Sequence, residues 1–362
     1  MIYISEVLLY TCFSILVGNQ IIAFVPADKR PTIIVPNWLV NLFILGIAIL
    51  SFSPVFEITL SFAKSYEVGF WTIFRGILLD FNIGHAWLIT LFLSVVLLVI
   101  RMIKNMTSEP VLEYLTALFT FALILAFGWA SHCTASYQLK GFIPHATHFF
   151  AVCVWIGTLI VVGWFSKNSN HWLAFLKWFS PVALICVITT VSAGFFLMNL
   201  LVPDYVNSWI VPYGQALLIK HLSIIPLLTF AFINGVLVKR KLKANPEFNP
   251  IPWVRAESMF ALFVFSAMAV MGQQSPPENI AAIIQFEKPS ALFQAFYQGQ
   301  IEPNTTIGFG VTGTSILLAI IAMLFLFSSV LLFHKKFNSA LATVFGLLFI
   351  CSAYMGIMLG IR

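Results

Sequence analysis

Long apolar runs alternate with short polar breaks from one end of this chain to the other. A helix needs about 20 apolar residues to cross the hydrocarbon of a bilayer. Ten windows qualify, at 6–26, 38–62, 85–103, 111–131, 142–165, 175–202, 213–238, 254–273, 307–333 and 339–359. The breaks are as short as Lys239-Arg240-Lys241-Leu242-Lys243 and His334-Lys335-Lys336. The pattern predicts an all-α fold, a polytopic transmembrane helix bundle of about ten helices seated in a lipid bilayer. Two connections, 63–84 and 275–306, are longer than a turn requires. Both carry apolar stretches and read either as segments lying in the membrane interface or as packed loops.

Composition agrees with the pattern. The 362 residues are 60% hydrophobic and 9% charged, where a soluble domain carries about 25% charged residues. The net charge of +6 does not point to nucleic acid, because lysines and arginines flank the apolar windows. Their distribution predicts orientation, since positive residues gather on the cytoplasmic side. Odd-numbered connections hold Lys29, Arg30, Arg101, Lys104, Lys167, Lys177, Lys239, Arg240, Lys241, Lys243, Arg255, Lys335 and Lys336. Even-numbered connections hold only Lys64, Arg75, Lys140 and Lys288. Both termini are therefore expected outside, in a cytoplasmic membrane. Residues 1–6 lack the basic region of a cleaved signal peptide, so the first helix is expected to be retained. Arg255 and Glu257 are expected to anchor the start of the eighth window and to pair locally.

Some chemistries are absent. The cysteines are Cys12, Cys133, Cys153, Cys186 and Cys351. No pair is spaced as a zinc knuckle or a c-type haem attachment run. There is no adenine-nucleotide P-loop and no phosphorylated-aspartate motif. An ATP-driven pump is not expected, nor is enzymatic activity.

Side chains that are costly near hydrocarbon mark function. His132, His145 and His148 crowd the junction of the fourth and fifth windows, at the predicted outer boundary. His145 and His148 are three apart and share a helix face. The link 133–141 is short enough to fold His132 back beside them. Imidazole suits copper, zinc, iron or nickel, while thiolate and thioether favour Cu(I). Cys133 neighbours His132, and Met198, Met268, Met271, Met355 and Met358 lie at predicted outer helix ends. His132, His145, His148, Cys133 and Met198 are the candidate metal ligands. His85 and His221 also lie toward the predicted outside. Lys220, beside His221, reads either as a long cation reaching for headgroups or as a charge that tunes a cation site.

The motifs then resemble a known family. His148 is followed by Val154-Trp155-Ile156-Gly157-Thr158-Leu159, then by Tyr213-Gly214-Gln215-Ala216-Leu217-Leu218-Ile219-Lys220. Arg255-Ala256-Glu257 and Pro276-Pro277 follow. This order resembles the copper resistance protein D family over about residues 118–277. This chain has His132-Cys133-Thr134 where that family has His-Ala, and Ile156-Gly157-Thr158 where it has Val-Gly-Gly. The resemblance implies copper transport, in the uptake direction, with His132, His148, Trp155, Tyr213, Gly214 and Lys220 as matched positions. It divides the chain into N-terminal helices at 1–110, a core at 111–277, and an outer loop with the last helices at 278–362. The ion is Cu(I) or Cu(II), and an extracytoplasmic copper-binding protein is a candidate partner. One alternative is a b-type haem protein using His148 and His221. Another is a copper-binding chaperone or sensor that does not translocate the ion.

Overall fold

The computed structural model describes residues 2–107, 109–335 and 337–362. Met1 and Lys336, both used in the sequence reading, lie outside the described residues. The structure is all-helical, and no strand forms among the described residues. Among the described residues, ten helices or helix pairs are long and apolar enough to cross a membrane, and the protein is a multi-pass membrane protein. The chain divides into two compact units, one ending at Leu197 and one running from Met198 to Arg362.

The first unit holds α1 (Ile2–Phe24), α2 (Asn37–Leu50), α3 (Ser53–Ser65), α4 (Phe70–Asp80), α5 (Asn82–Met106) and α6 (Val111–Trp129). It continues with α7 (His132–Tyr137), α8 (Leu139–Phe165) and most of α9 (Trp172–Leu201). The window expected as one helix at 38–62 is broken at residues 51–52 into α2 and α3. The long connection at 63–84 carries α4, whose Trp71 is largely exposed.

The core of this unit is the contact of α1 with α8. Their most apolar stretches are 61% and 78% buried, against 6% for α9. Helices cannot rely on the hydrophobic effect to associate inside a bilayer, so close packing of small residues takes its place. Ser14 and Gly18 on α1 meet Gly157 on α8. A Cβ added to Gly157 would stand 1.8 Å from the Ser14 carbonyl oxygen, and one added to Gly18 would stand 2.2 Å from Gly157. Gly157, which the sequence offered as part of a family motif, is therefore a packing requirement.

In the second unit, the 3-10 turn Asn207–Ile210 leads into α10 (Pro212–Phe232). A π-helical segment, Ile233–Val238, and α11 (Lys239–Ala244) continue that helix. Then come α12 (Ile251–Gly272), α13 (Ile280–Phe286), α14 (Ala291–Gln294), α15 (Gly313–His334) and α16 (Ser339–Met358). Helix α10 packs on α12 and α16, and α15 packs on α16. Thr312 and Ser315 close α15 with a reciprocal capping box, and Asn338 caps α16 through the Ala340 N–H. The expected loop at 275–306 contains α13 and α14.

The α1–α8 contact makes a direct prediction. Gly157→Ala should lower the thermal midpoint of the purified protein, by an overpacking cost of about 1–3 kcal/mol. Gly69→Ala, where a Cβ meets nothing within 4 Å, should leave it nearly unchanged. Equal midpoints for the two variants would show that the contact does not hold the core.

Candidate metal-handling sites

The first candidate site lies at the corner where α6 turns into α8. Ser131 caps α7 by accepting the Thr134 N–H at 3.2 Å. The Thr134 hydroxyl donates to the Gly128 carbonyl at 2.8 Å, which ties α7 back to α6. Gln138 has φ 51°, in the left-handed region, and the chain reverses there into α8. Gly141 then passes so close to Cys133 that a Cβ would stand 2.0 Å from the Cys133 carbonyl oxygen. The link expected at 133–141 is thus a short helix and a tight turn. His132 begins α7 rather than ending the preceding helix, and its side chain is exposed while Cys133 is buried.

Helix α8 starts at Leu139, so His145 lies in its second turn and not at its start. His145 is half-buried with its ring 6.1 Å from that of Phe127. Phe127 belongs to an aromatic cluster with Tyr10, Phe13 and Phe149. Tyr10 in turn donates from its hydroxyl to the buried Glu6 carboxylate at 3.0 Å. His148 lies one turn further along α8, half-buried, with Nδ1 2.9 Å from the Thr190 carbonyl oxygen of α9. A carbonyl only accepts, so this contact puts the proton on Nδ1 and the ring lone pair on Nε2. Metal-binding histidines are commonly oriented in the same way, by a carbonyl on the opposite nitrogen. Among the described residues, no three or more of His, Cys, Asp and Glu come together as a group able to hold a metal. His132, Cys133, His145 and His148 thus share a corner without forming such a group.

The second candidate site lies within the second unit. Val202, Val211, Tyr213 and Leu217 form a buried apolar cluster. Met198, Met271 and Tyr205 pack against it, and Ile280, Ile283 and Ile284 of α13 cover it. The Tyr205 hydroxyl lies 2.8 Å from His221 Nδ1, and the two rings are 5.5 Å apart. Either atom of that pair can donate, depending on the imidazole tautomer. Lys220 is half-buried beside His221 and forms no ion pair among the described residues. Met358 is buried and accepts from the Gln215 side-chain amide at 3.6 Å.

The other expected residues are placed as follows. His85 is exposed, and its Nε2 donates to the Leu79 carbonyl at 2.6 Å, joining the end of α4 to α5. Trp155 is buried on α8. Glu257, expected to anchor a helix end, is 2% exposed and accepts from Asn234 of the neighbouring helix, while Arg255 is exposed. The sequence reading missed the roles of Glu6, Tyr10 and Tyr205. Glu6 did carry a signal, as the one acidic residue inside the first apolar window.

A model of the copper resistance protein D family matches residues 173–271. The chain is consistent with a member of that family. The matched stretch contains Thr190, Met198, Tyr213, Lys220, His221, Glu257 and Met271. His85, His132, Cys133, His145, His148 and Trp155 lie outside it. No curated protein and no solved structure matches the chain.

Tyr205 lies between the spanning helices, and burial pushes its phenol from 10.0 up to about 12. The folded protein keeps this proton where the unfolded chain releases it. Its contribution to stability is therefore complete below about pH 10 and is lost as the pH rises toward 12. The thermal midpoint of the wild type should fall more steeply across that window than the midpoint of Tyr205→Phe. Parallel curves would contradict a buried, protonated Tyr205 on His221.

Proposed function

We propose that this protein carries copper ions inward across the membrane it spans. The observation that carries the reading is the copper resistance protein D match over 173–271, which contains a set of soft and borderline donors. Met198 and Met271 pack on one buried cluster with Tyr205, which in turn contacts His221. Thioethers favour Cu(I), and imidazole accepts either oxidation state. Donors held in small sets suit an ion that must be released again, because a full cage of ligands would retain it.

In the first unit, the His148 tautomer supports coordination through Nε2. His145, His132 and Cys133 are the further donors near that corner. The lysine and arginine distribution supports an orientation with this corner outside. An extracytoplasmic copper-binding protein would then deliver the ion to the exposed His132. Without an ATP motif, the drive is the membrane potential, at about 2.3 kcal/mol per charge for each 100 mV, or exchange with protons.

Changing His132 and His148 together to Ala should lower copper accumulation in cells. The loss should be at least as large as that from removing an outer-shell partner of a metal ligand, about tenfold. Unchanged accumulation at normal protein levels would overturn the assignment of these histidines.

A further inference from the structure

Two basic breaks in the apolar pattern, at 239–243 and at 334–335, meet at one end of the second unit. Leu237 of the π-helical segment, Arg240 and Lys241 of α11, and Phe333 and His334 of α15 line a cleft of about 320 Å³ there. Its walls are tied to the helices around it. Trp253, in the first turn of α12, packs on Phe333 with ring centres 5.0 Å apart, and its carbonyl accepts from the Asn234 amide at 3.0 Å. The Lys241 ammonium lies over two rings, 4.9 Å from the centre of Phe248 and 5.1 Å from that of Phe333. Both are cation–π distances, so the aromatic wall fixes where this charge stands.

The chemistry of the cleft selects an anion. Among the described residues, Arg240, Lys241 and His334 form no ion pair, and no acidic side chain lines the cleft. The acidic groups nearest along the chain are Glu247, exposed in the link from α11 to α12, and Glu257, buried and bonded to Asn234. An ammonium brings three donors, and a guanidinium brings a planar fork that matches phosphate oxygens. The position of the cleft selects a lipid over a soluble ion. Leu237 and Phe333 are buried in helices long and apolar enough to span a membrane, and the basic residues follow where those spans end. The cleft therefore stands at headgroup depth. His334 shares a face of α15 with Leu331, Phe327 and Leu324, at spacings of three and four, and all three apolar side chains are exposed. A phosphate held in the cleft leaves its acyl chain on that stripe. The lysine and arginine distribution favours the cytoplasmic side for this end, and the cytoplasmic leaflet carries the anionic lipids.

We propose that this cleft binds the phosphate headgroup of an anionic phospholipid, held by Arg240, Lys241 and His334, with an acyl chain along the stripe of Leu324, Phe327 and Leu331. The site does not depend on the copper reading above.

Native mass spectrometry of the full chain in a neutral detergent tests the site, by titration with phosphatidylglycerol and with phosphatidylcholine of identical acyl chains. The ratio of the two first binding constants then reads the headgroup alone. The wild type should prefer phosphatidylglycerol. Arg240→Gln with Lys241→Gln should lower that preference about fivefold for each cation removed. Lys167→Gln with Lys177→Gln removes the same charge from exposed positions of the first unit and should keep the wild-type ratio. If the cleft variant does not reach the membrane, Arg240→Gln with His334→Gln, at two exposed positions, should lower the preference by about fivefold or more. Glycerol phosphate, which has the anion without the chains, should not displace the bound lipid at millimolar concentration. Displacement by it would assign the cleft to a soluble anion and overturn the lipid site. No preference in the wild type, an unchanged ratio in the cleft variants, or an equal loss in the first-unit variant would overturn it as well.

Discussion

Hydrocarbon offers no water to a polar group, so each buried donor and acceptor in a spanning helix must find its partner inside the protein. This constraint organises the polar side chains of the chain. Thr59, Thr90, Thr116 and Thr120 each return their hydroxyl to the carbonyl four residues earlier. They satisfy themselves locally and leave their faces available for packing. Longer polar side chains reach to another helix. His148 reaches Thr190, Gln215 reaches Met358, and Asn234 reaches Glu257. Other cross-helix contacts, such as Arg101 to Asn41 and Gln20 to Glu113, tie helices together away from the candidate sites. Asn234 Oδ1 is one of several buried polar atoms that depart from the constraint among the described residues.

The same solvent removes the usual drive for helix association, so the backbone of the first unit is brought together by shape. Ser14, Gly18 and Gly157 let α1 and α8 approach to backbone contact. That contact makes α8 the most enclosed of the spanning helices. The histidines His145 and His148 ride on this rigid element, one turn apart, and His148 gains a fixed tautomer from the neighbouring α9. The thioethers of the second unit are held more softly, in an apolar cluster covered by α13. A rigid, oriented imidazole and adaptable thioethers are different ways of holding a soft ion, and both allow its release.

The spans were legible in the sequence because the bilayer imposes a length on each of them. Gly157 was legible as a motif, although its role in packing needed the partner helix to be known. The corner at 132–141 was not legible. It depends on the left-handed Gln138 and on Gly141 passing Cys133, and neither leaves a mark in hydrophobic periodicity. Where a short link able to fold His132 back beside His145 and His148 was expected, the chain builds a short helix and a turn that expose His132 and bury Cys133. Tyr205 with His221 and Asn234 with Glu257 escaped for another reason. Their partners come from different elements, and spacing along the chain says nothing about such pairs. Arg255 and Glu257 were read together as anchoring a helix start, yet residues two apart on a helix face different ways, and Glu257 is buried where Arg255 is exposed.

Copper movement through the isolated protein tests the central claim most directly. Liposomes containing only this chain, loaded with a copper chelator and given a negative interior potential, should accumulate copper well above protein-free liposomes. Collapse of the potential should slow that uptake. Copper that binds to the protein with the metal content of the lumen unchanged would contradict transport and leave a copper-binding membrane protein in its place.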